Sequence, residues 1–251
     1  MVKDLYMTFT EHLEELRRCL IKSAAAIVLA SALGYMFSGR IFAWMVAPLR
    51  QALQPGQNLI GTGVAEAFFT EIKVALVAGI FLAVPVIFYQ IWRFLAPGLR
   101  PAEKKLVVPF VLCTSAFFIG GAYFCYWGVL PYAFAYFVRQ YSDLGVSPEI
   151  RIGEYFTFFF RMVLAFGVTF ELPVFTFFLV RLGIWDYRFL WRQFRYALII
   201  IFILAAVLTP GGDVVSQLLL AVPLTVLYVL SIGVAYIWRK EEKEEEVRQG
   251  K

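Results

Sequence analysis

Histidine is nearly absent from this 251-residue chain, which has only His12. One imidazole builds neither a histidine-dependent nucleophilic triad nor a multi-histidine metal site. Cysteine is also scarce. Cys19, Cys113 and Cys125 form no CxxC pair and no even disulfide framework, so they read as small apolar residues in or near hydrophobic runs. No GxxxxGK phosphate loop is present, and the Gly-Gly-Asp at 211–213 reads as a tight turn between helices. His12 itself reads as a helix-surface or capping residue. No catalytic group, metal or cofactor is expected, and the chain is not expected to be an enzyme.

Charged residues make up only 16% of the chain, against 61% apolar and 18% aromatic, with a mean hydropathy of +0.74. These values lie outside the range of soluble domains and inside that of polytopic membrane proteins. A formal charge of +5 and a pI near 9.1 are no sign of nucleic-acid binding here. The basic residues cluster beside apolar runs, where the positive-inside rule explains them. Arg17 and Arg18 before an apolar stretch imitate a signal peptide, but no small-residue cleavage site follows and more apolar runs do. The stretch reads as a retained first membrane helix.

About 20 residues are needed to cross a bilayer as a helix. Six apolar segments emerge, at about 20–37, 68–92, 106–130, 155–180, 196–208 and 214–238. The fifth is short, spanning only about 20 Å at 1.5 Å per residue. Charge decides the parity. Lys3, Arg17, Arg18 and Lys22 flank the first segment; Arg93, Arg100, Lys104 and Lys105 lie in the second connection; Arg181, Arg188, Arg192 and Arg195 lie in the fourth. With Arg239 and Lys240 after the sixth, all fall on one side if every segment crosses, and that side is the cytoplasm. The expectation is a single six-span domain over 1–238, N-in and C-in, with the bilayer thinned around the short fifth helix. The charged segment 239–251 cannot bury a core and reads as a frayed or disordered cytoplasmic tail.

The connections carry structure of their own. Gly39 to Leu53 has the pattern of a helix lying in the interface or capping the bundle, and Pro48 is expected to break it. Pro131 to Glu154 reads as an ordered cap. Pro85, Pro109, Pro173 and Pro223 fall inside the spans, where kinks leave concave surfaces. The expected fold is an all-α membrane protein with six transmembrane helices, kinked into a concave bundle, with short helices five and six.

Three places stand out as carriers of function. Glu171 is the only carboxylate in the run from Tyr155 to Val180, and Pro173 follows it two residues later. Ionised acids at that depth are costly and face protein or a wet cavity; the structural alternative is a protonated carboxyl bonded to a neighbouring helix. The second is the N-terminal segment, in which Thr8 or Thr10 can cap a helix carrying Glu11, Glu14 and Glu15. Phe9, Leu13, Leu16 and Leu20 share one face of it, and Glu14 and Arg18 are spaced to pair. The third is Glu103, the only acid in the second connection, after Pro97-Gly98 and Pro101. With Glu15 it places carboxylates among cytoplasmic cations, an arrangement suited to a guanidinium ligand.

His12-Leu13-x-Glu15-Leu16-Arg17, Ala47-Pro48-Leu49, Phe94-x-Ala96-Pro97-Gly98-Leu99, Glu103 to Pro109, Phe166-Gly167 through Glu171-x-Pro173, and Thr209-Pro210 through Asp213 to Gln217 together resemble the TatC family. That family is the multispanning receptor of the twin-arginine protein translocase, and the resemblance covers essentially the whole chain. The Pro210-Gly211-Gly212-Asp213 turn departs from the more proline-rich, shorter form expected there. The resemblance implies recognition of Arg-Arg signal peptides on folded cargo proteins and assembly with TatA and TatB in the inner membrane, driven by the proton-motive force. It implies that Glu15 and Glu103 bind the signal guanidinium groups, that Arg17 orients those acids, and that Leu16, Phe94 and Leu99 line the docking surface. Glu171 would polarise the bundle interior. Thr209 and Gln217 would contact a partner helix, and Pro48, Pro85, Pro173 and Asp213 would be structural. The expected partners are these proteins, the lipid bilayer and further copies of the chain, with no nucleic acid. The competing reading is a proton-coupled secondary transporter using Glu171, although no internal repeat supports it.

Overall fold

The computed structural model describes residues 9–54, 56–95, 107–181, 183–209 and 214–248. In chain order its helices are α1 (Phe9–Met36), α2 (Ser38–Ala52), α3 (Glu66–Leu95), α4 (Val107–Phe124), α5 (Leu130–Asp143), α6 (Ile152–Arg181), α7 (Tyr187–Arg192), α8 (Phe194–Leu208) and α9 (Val214–Arg248). Among the described residues the sole β pairing is an isolated bridge between Ile60 and Arg151. Among the described residues five stretches are long and apolar enough to cross a membrane: Thr10–Met36, Glu66–Leu95, Val107–Asp143, Ile152–Arg181 and Gln217–Ile237. Phe194–Leu208 is apolar but shorter. Each of the six segments expected from hydropathy is thus helical, and the chain is a multi-pass membrane protein.

The chain divides into two compact units. The first comprises Met1–Ala47, Ile60–Ala116 and Arg151–Gly153. Its centre is the pairing of α1 with α3, and small residues allow it. A β-carbon on Gly79 would lie 2.6 Å from the Ser31 nitrogen, and one on Gly34 would lie 3.1 Å from the Ala75 carbonyl oxygen. In lipid, where apolar side chains gain little by leaving one apolar phase for another, such close backbone approach is what holds helices together. At the Glu66 end of α3 the Glu66 carboxylate accepts from the Thr62 N–H (2.7 Å), the Gly63 N–H (3.1 Å), the Thr62 hydroxyl (3.2 Å) and the Gly153 N–H (2.8 Å). Ile152 N–H donates to the Ile60 carbonyl beside it. This clasp pairs backbone donors of the loop before α3 and of Gly153, and it ties the chain near Ile60 to that near Ile152. At the other end of α3, Phe94 stacks on His12 with ring centroids 4.2 Å apart, and Trp92 stacks on Phe110.

The second unit comprises Pro48–Leu59, Phe117–Ile150 and Glu154–Lys251. Here α4 and α6 touch through glycine: a β-carbon on Gly121 would lie 2.7 Å from the Phe166 carbonyl oxygen, and one on Gly167 would lie 3.0 Å from the Phe118 ring. Phe156, Phe159 and Phe166 of α6 are among the most deeply buried side chains. The segment between α6 and α8 is pinned by a cluster of Val180, Leu190, Ile232 and Ala235, packed with Trp185, Tyr187, Phe194 and Tyr228. Tyr228 donates its hydroxyl proton to the Leu190 carbonyl at 2.9 Å.

Four expectations are corrected. Helix α2 does not break at Pro48 but runs through it to Ala52. Proline removes one hydrogen bond to the preceding turn. Met45, Val46, Pro48 and Leu49 are all buried, and their packing offsets that loss. The third segment does not stop near 130: π-helical Cys125–Val129 continues α4 into α5. Pro131 lacks an N–H for the carbonyl four residues back, and Leu130 N–H reaches instead to the Cys125 oxygen, five residues back. The sixth helix is not short, with 35 residues. Nor does it fray at 238, because the Glu, Lys and Arg that follow are strong helix formers and prolong it to Arg248.

Candidate functional site

A cavity of about 360 Å³ opens in the first unit between α1 and α3. Glu11, Glu14, Glu15, Arg18, Cys19 and Lys22 line it from α1, with Gln90 and Arg93 from α3. Residues three and four apart on a helix share a face, which explains why α1 presents 11, 14, 15, 18 and 22 together. Glu14 and Arg18 pair at 2.6 Å as their spacing predicts. Both are well exposed, so the pair contributes a few tenths of a kcal/mol at most.

Two acceptors in this cavity are left over. Glu15 Oε2 and Gln90 Oε1 are each enclosed and have no hydrogen-bond partner among the described residues. Gln90 is only 7% exposed. Buried polar atoms are paired in the great majority of proteins, and each exception calls for an explanation such as a ligand. A carboxylate oxygen and an amide oxygen on residues that line one polar cavity suit a donor-rich cation.

Of the residues expected to bind, Glu15 lines this cavity and Phe94 is half-buried one turn beyond Gln90, stacked on His12. Leu16 is half-buried on α1. Arg17 is exposed and makes no ion pair among the described residues; two residues from Glu15 on a helix, it does not share that acid's face. The structure does not bring the two together. Glu103, Leu99 and Asp213 lie outside the described residues. Gln90 was overlooked in the sequence because it sits within an apolar run; the available signal was a carboxamide in a span, where an amide needs a partner.

In the second unit Glu171 is half-buried on α6, one turn after Gly167, with Oε1 enclosed and unpartnered among the described residues. Pro173 is buried beside it, while Pro85 is exposed on α3; both helices continue through their prolines. Gln217 donates its side-chain N–H to the Phe202 carbonyl at 2.9 Å, joining α9 to α8. It borders an open apolar groove with Leu198, Ile199, Phe202, Ile203 and Ala206. Thr209 is buried and donates its hydroxyl proton to the Ala205 carbonyl of its own helix.

Several apolar helices of bilayer length, with an acid- and amide-bearing cavity among charged side chains of α1 and α3, define a multi-pass membrane protein that carries a polar cavity. Comparison with known proteins gives the class its family. Residues 11–223 match the family model described as Sec-independent protein translocase protein (TatC). The Sec-independent protein translocase protein TatC of Desulforapulum autotrophicum is 42% identical over 95% of this chain and 88% of its own length. That of Carboxydothermus hydrogenoformans is 40% identical over 96% and 98%. A crystal structure of the twin-arginine translocase receptor TatC superposes with a TM-score of 0.82 at 34% identity, covering 90% of this chain and 99% of that one. The chain belongs to the TatC family of Sec-independent protein translocase proteins.

Proposed function

We propose that this chain is a receptor for twin-arginine signal peptides of folded cargo proteins, and that the cavity between α1 and α3 takes an arginine side chain of the motif. The observation that carries this reading is the pair of enclosed, unpartnered acceptors, Glu15 Oε2 and Gln90 Oε1, lining one cavity. A guanidinium brings five donors in a planar fork, enough to satisfy both oxygens at once. A lysine ammonium is a compact point charge and more strongly hydrated, so it matches two fixed acceptors less well. Glu103 supplies the second carboxylate, Arg17 orients it, and Leu16, Phe94 and Leu99 receive the apolar part of the peptide. Photocrosslinking from Glu11 or Arg93 positions to an Arg-Arg signal peptide should be strong and to a Lys-Lys peptide weak. Equal capture of both peptides would remove the basis for this reading.

The receptor works in the inner membrane with both termini cytoplasmic and six crossings, and nucleates a translocation site with TatA- and TatB-type single-span proteins, driven by the proton-motive force. The short α8 and the apolar groove beside Gln217 support a docking place for such a partner helix, since Gln217 keeps an amide oxygen to offer across it. Cysteines introduced at Gly211 or Gly212 are expected to label from outside the cell, and a reporter fused after Trp238 to be cytoplasmic. Labelling of those positions from the cytoplasm alone would mean that α8 does not cross.

Glu171, with its unpartnered oxygen, polarises the interior that cargo or partners meet. Glu171→Gln keeps shape and hydrogen bonding and should leave both peptide binding and most transport intact. Glu171→Leu should cut transport further than Gln does, read as cargo accumulated in inverted vesicles. The same oxygen also favours a second reading, a proton relay in a secondary transporter. Purified protein reconstituted alone separates the two, because a transporter moves protons or solute without partners and a receptor does not.

A further inference from the structure

Many residues of helix α6 are buried, but Glu154, Arg161, Val168 and Phe175 are exposed. They recur every seven residues, close to two helical turns, and so form one outward stripe. Arg161 on that stripe makes no hydrogen bond or ion pair among the described residues. If this exposed stripe meets lipid, a lone guanidinium on it is costly unless something neutralises it.

Depth says what that is. The 30 residues of α6 extend about 45 Å, against a hydrocarbon core of about 30 Å, so both ends project beyond it. Placed symmetrically, Arg161 has its backbone only about 6 Å inside the boundary at the Ile152 end. Side chains on a helix lean toward its N-terminus, and arginine snorkels with its stem along apolar surface. The guanidinium therefore reaches the headgroup layer at the Ile152 end, where phosphate matches its fork. The rival occupant is a carboxylate on a partner helix. Helices that approach closely in lipid do so over small residues, whereas Val168 and Phe175 on this stripe are bulky.

We propose that Arg161 is a phospholipid-binding site: the exposed guanidinium on the outward stripe of α6 holds the phosphate of a lipid in the leaflet at the Ile152 end of that helix. The site itself is independent of the topology proposed above; naming that leaflet as the outer one rests on it.

The test is native mass spectrometry of the full chain released from detergent micelles, titrated with phosphatidylglycerol, phosphatidylethanolamine or diacylglycerol of equal chain length. Both phospholipids should be retained, and diacylglycerol, which lacks the phosphate, should not. Arg161→Leu should weaken retention of the tightest phospholipid about tenfold or more, the loss of one charge-assisted pair, and Arg161→Lys should lose less. Arg161→Gln serves in its place if the leucine variant does not fold, with the helical circular-dichroism signal as the check. Unchanged retention in a folded Leu or Gln variant overturns the proposal, as does equal retention of diacylglycerol. So does efficient crosslinking of Arg161→Cys to a co-purifying chain, which identifies a partner helix as the occupant. Binding of the Arg-Arg peptide should be the same in all of these variants, so failure here is separable from failure of the receptor reading.

Discussion

Reversing charge at Glu15 is expected to abolish binding of an Arg-Arg signal peptide to the purified protein, while the variant still inserts and keeps its helical content. The alanine variant should bind about ten- to a hundredfold more weakly, because a hydrogen bond to a charged group contributes about 1.5–3 kcal/mol. Glu15→Lys goes further, since it adds a cation to a cavity already lined by Arg18, Lys22 and Arg93. Glu103→Ala should weaken binding in the same direction, and Gln90→Leu should lower affinity for Arg-Arg while narrowing the preference over Lys-Lys. Fluorescence anisotropy with labelled peptides measures all of these. If the Glu15→Ala, Glu103→Ala double variant binds as tightly as the unaltered chain, neither acid holds the motif.

The second large effect is expected at Gly79, far along α3 from that cavity. Gly79→Val should lower thermal stability in detergent strongly and reduce peptide affinity with it. A β-carbon there would meet the Ser31 hydroxyl and lie 2.6 Å and 2.7 Å from the Ser31 nitrogen and α-carbon. Backbone atoms cannot swing aside as a long side chain can, so α1 and α3 must separate. Overpacking of this kind costs about 1–3 kcal/mol, and contact with backbone places it at the upper end or beyond. Peptide affinity follows because Glu15 is on α1 and Gln90 on α3, and the cavity exists only while the two helices hold their register. Gly34→Ala is the milder companion, since its nearest neighbour at 3.1 Å asks for a shift of only a few tenths of an ångström. A Gly79→Val variant that unfolds at the original temperature would show that the helices do not approach as closely as this packing requires.

Much of the helix plan is legible in the sequence. The five long spans and the shorter Phe194–Leu208 fall where continuous apolar runs stand, because a backbone in lipid must satisfy its own hydrogen bonds and the helix does so locally. The Glu14–Arg18 pair was legible for the same reason: a four-residue spacing on a helix is a contact. Pro48 is tolerated because Met45, Val46 and Leu49 are buried, and the long α9 reflects a charged segment judged by its inability to form a core when helix propensity was the stronger term.

Within the candidate site, Glu15 stood out as an acid among cations, and Glu171 as a carboxylate in an apolar run. Gln90 did not, and neither did the role of Glu66, whose carboxylate gathers donors from Thr62, Gly63 and, 87 residues on, Gly153. No periodicity connects such positions. Arg161 was likewise silent in the sequence, since whether a residue on a membrane helix is exposed depends on where its neighbours lie.

The order of amino acids by itself determined the membrane class, the positions of the apolar helices and the family, because these rest on local composition, 1.5 Å per residue, and short motifs in sequence. The tertiary structure alone decided which polar atoms are left without partners. Whether Glu15 Oε2, Gln90 Oε1 or Glu171 Oε1 is satisfied depends on atoms brought from distant parts of the chain. It also decided how closely two helices approach. Gly79 is one small residue among several in α3 until Ser31 is set against it, and only then does the absence of a β-carbon become the condition for the site.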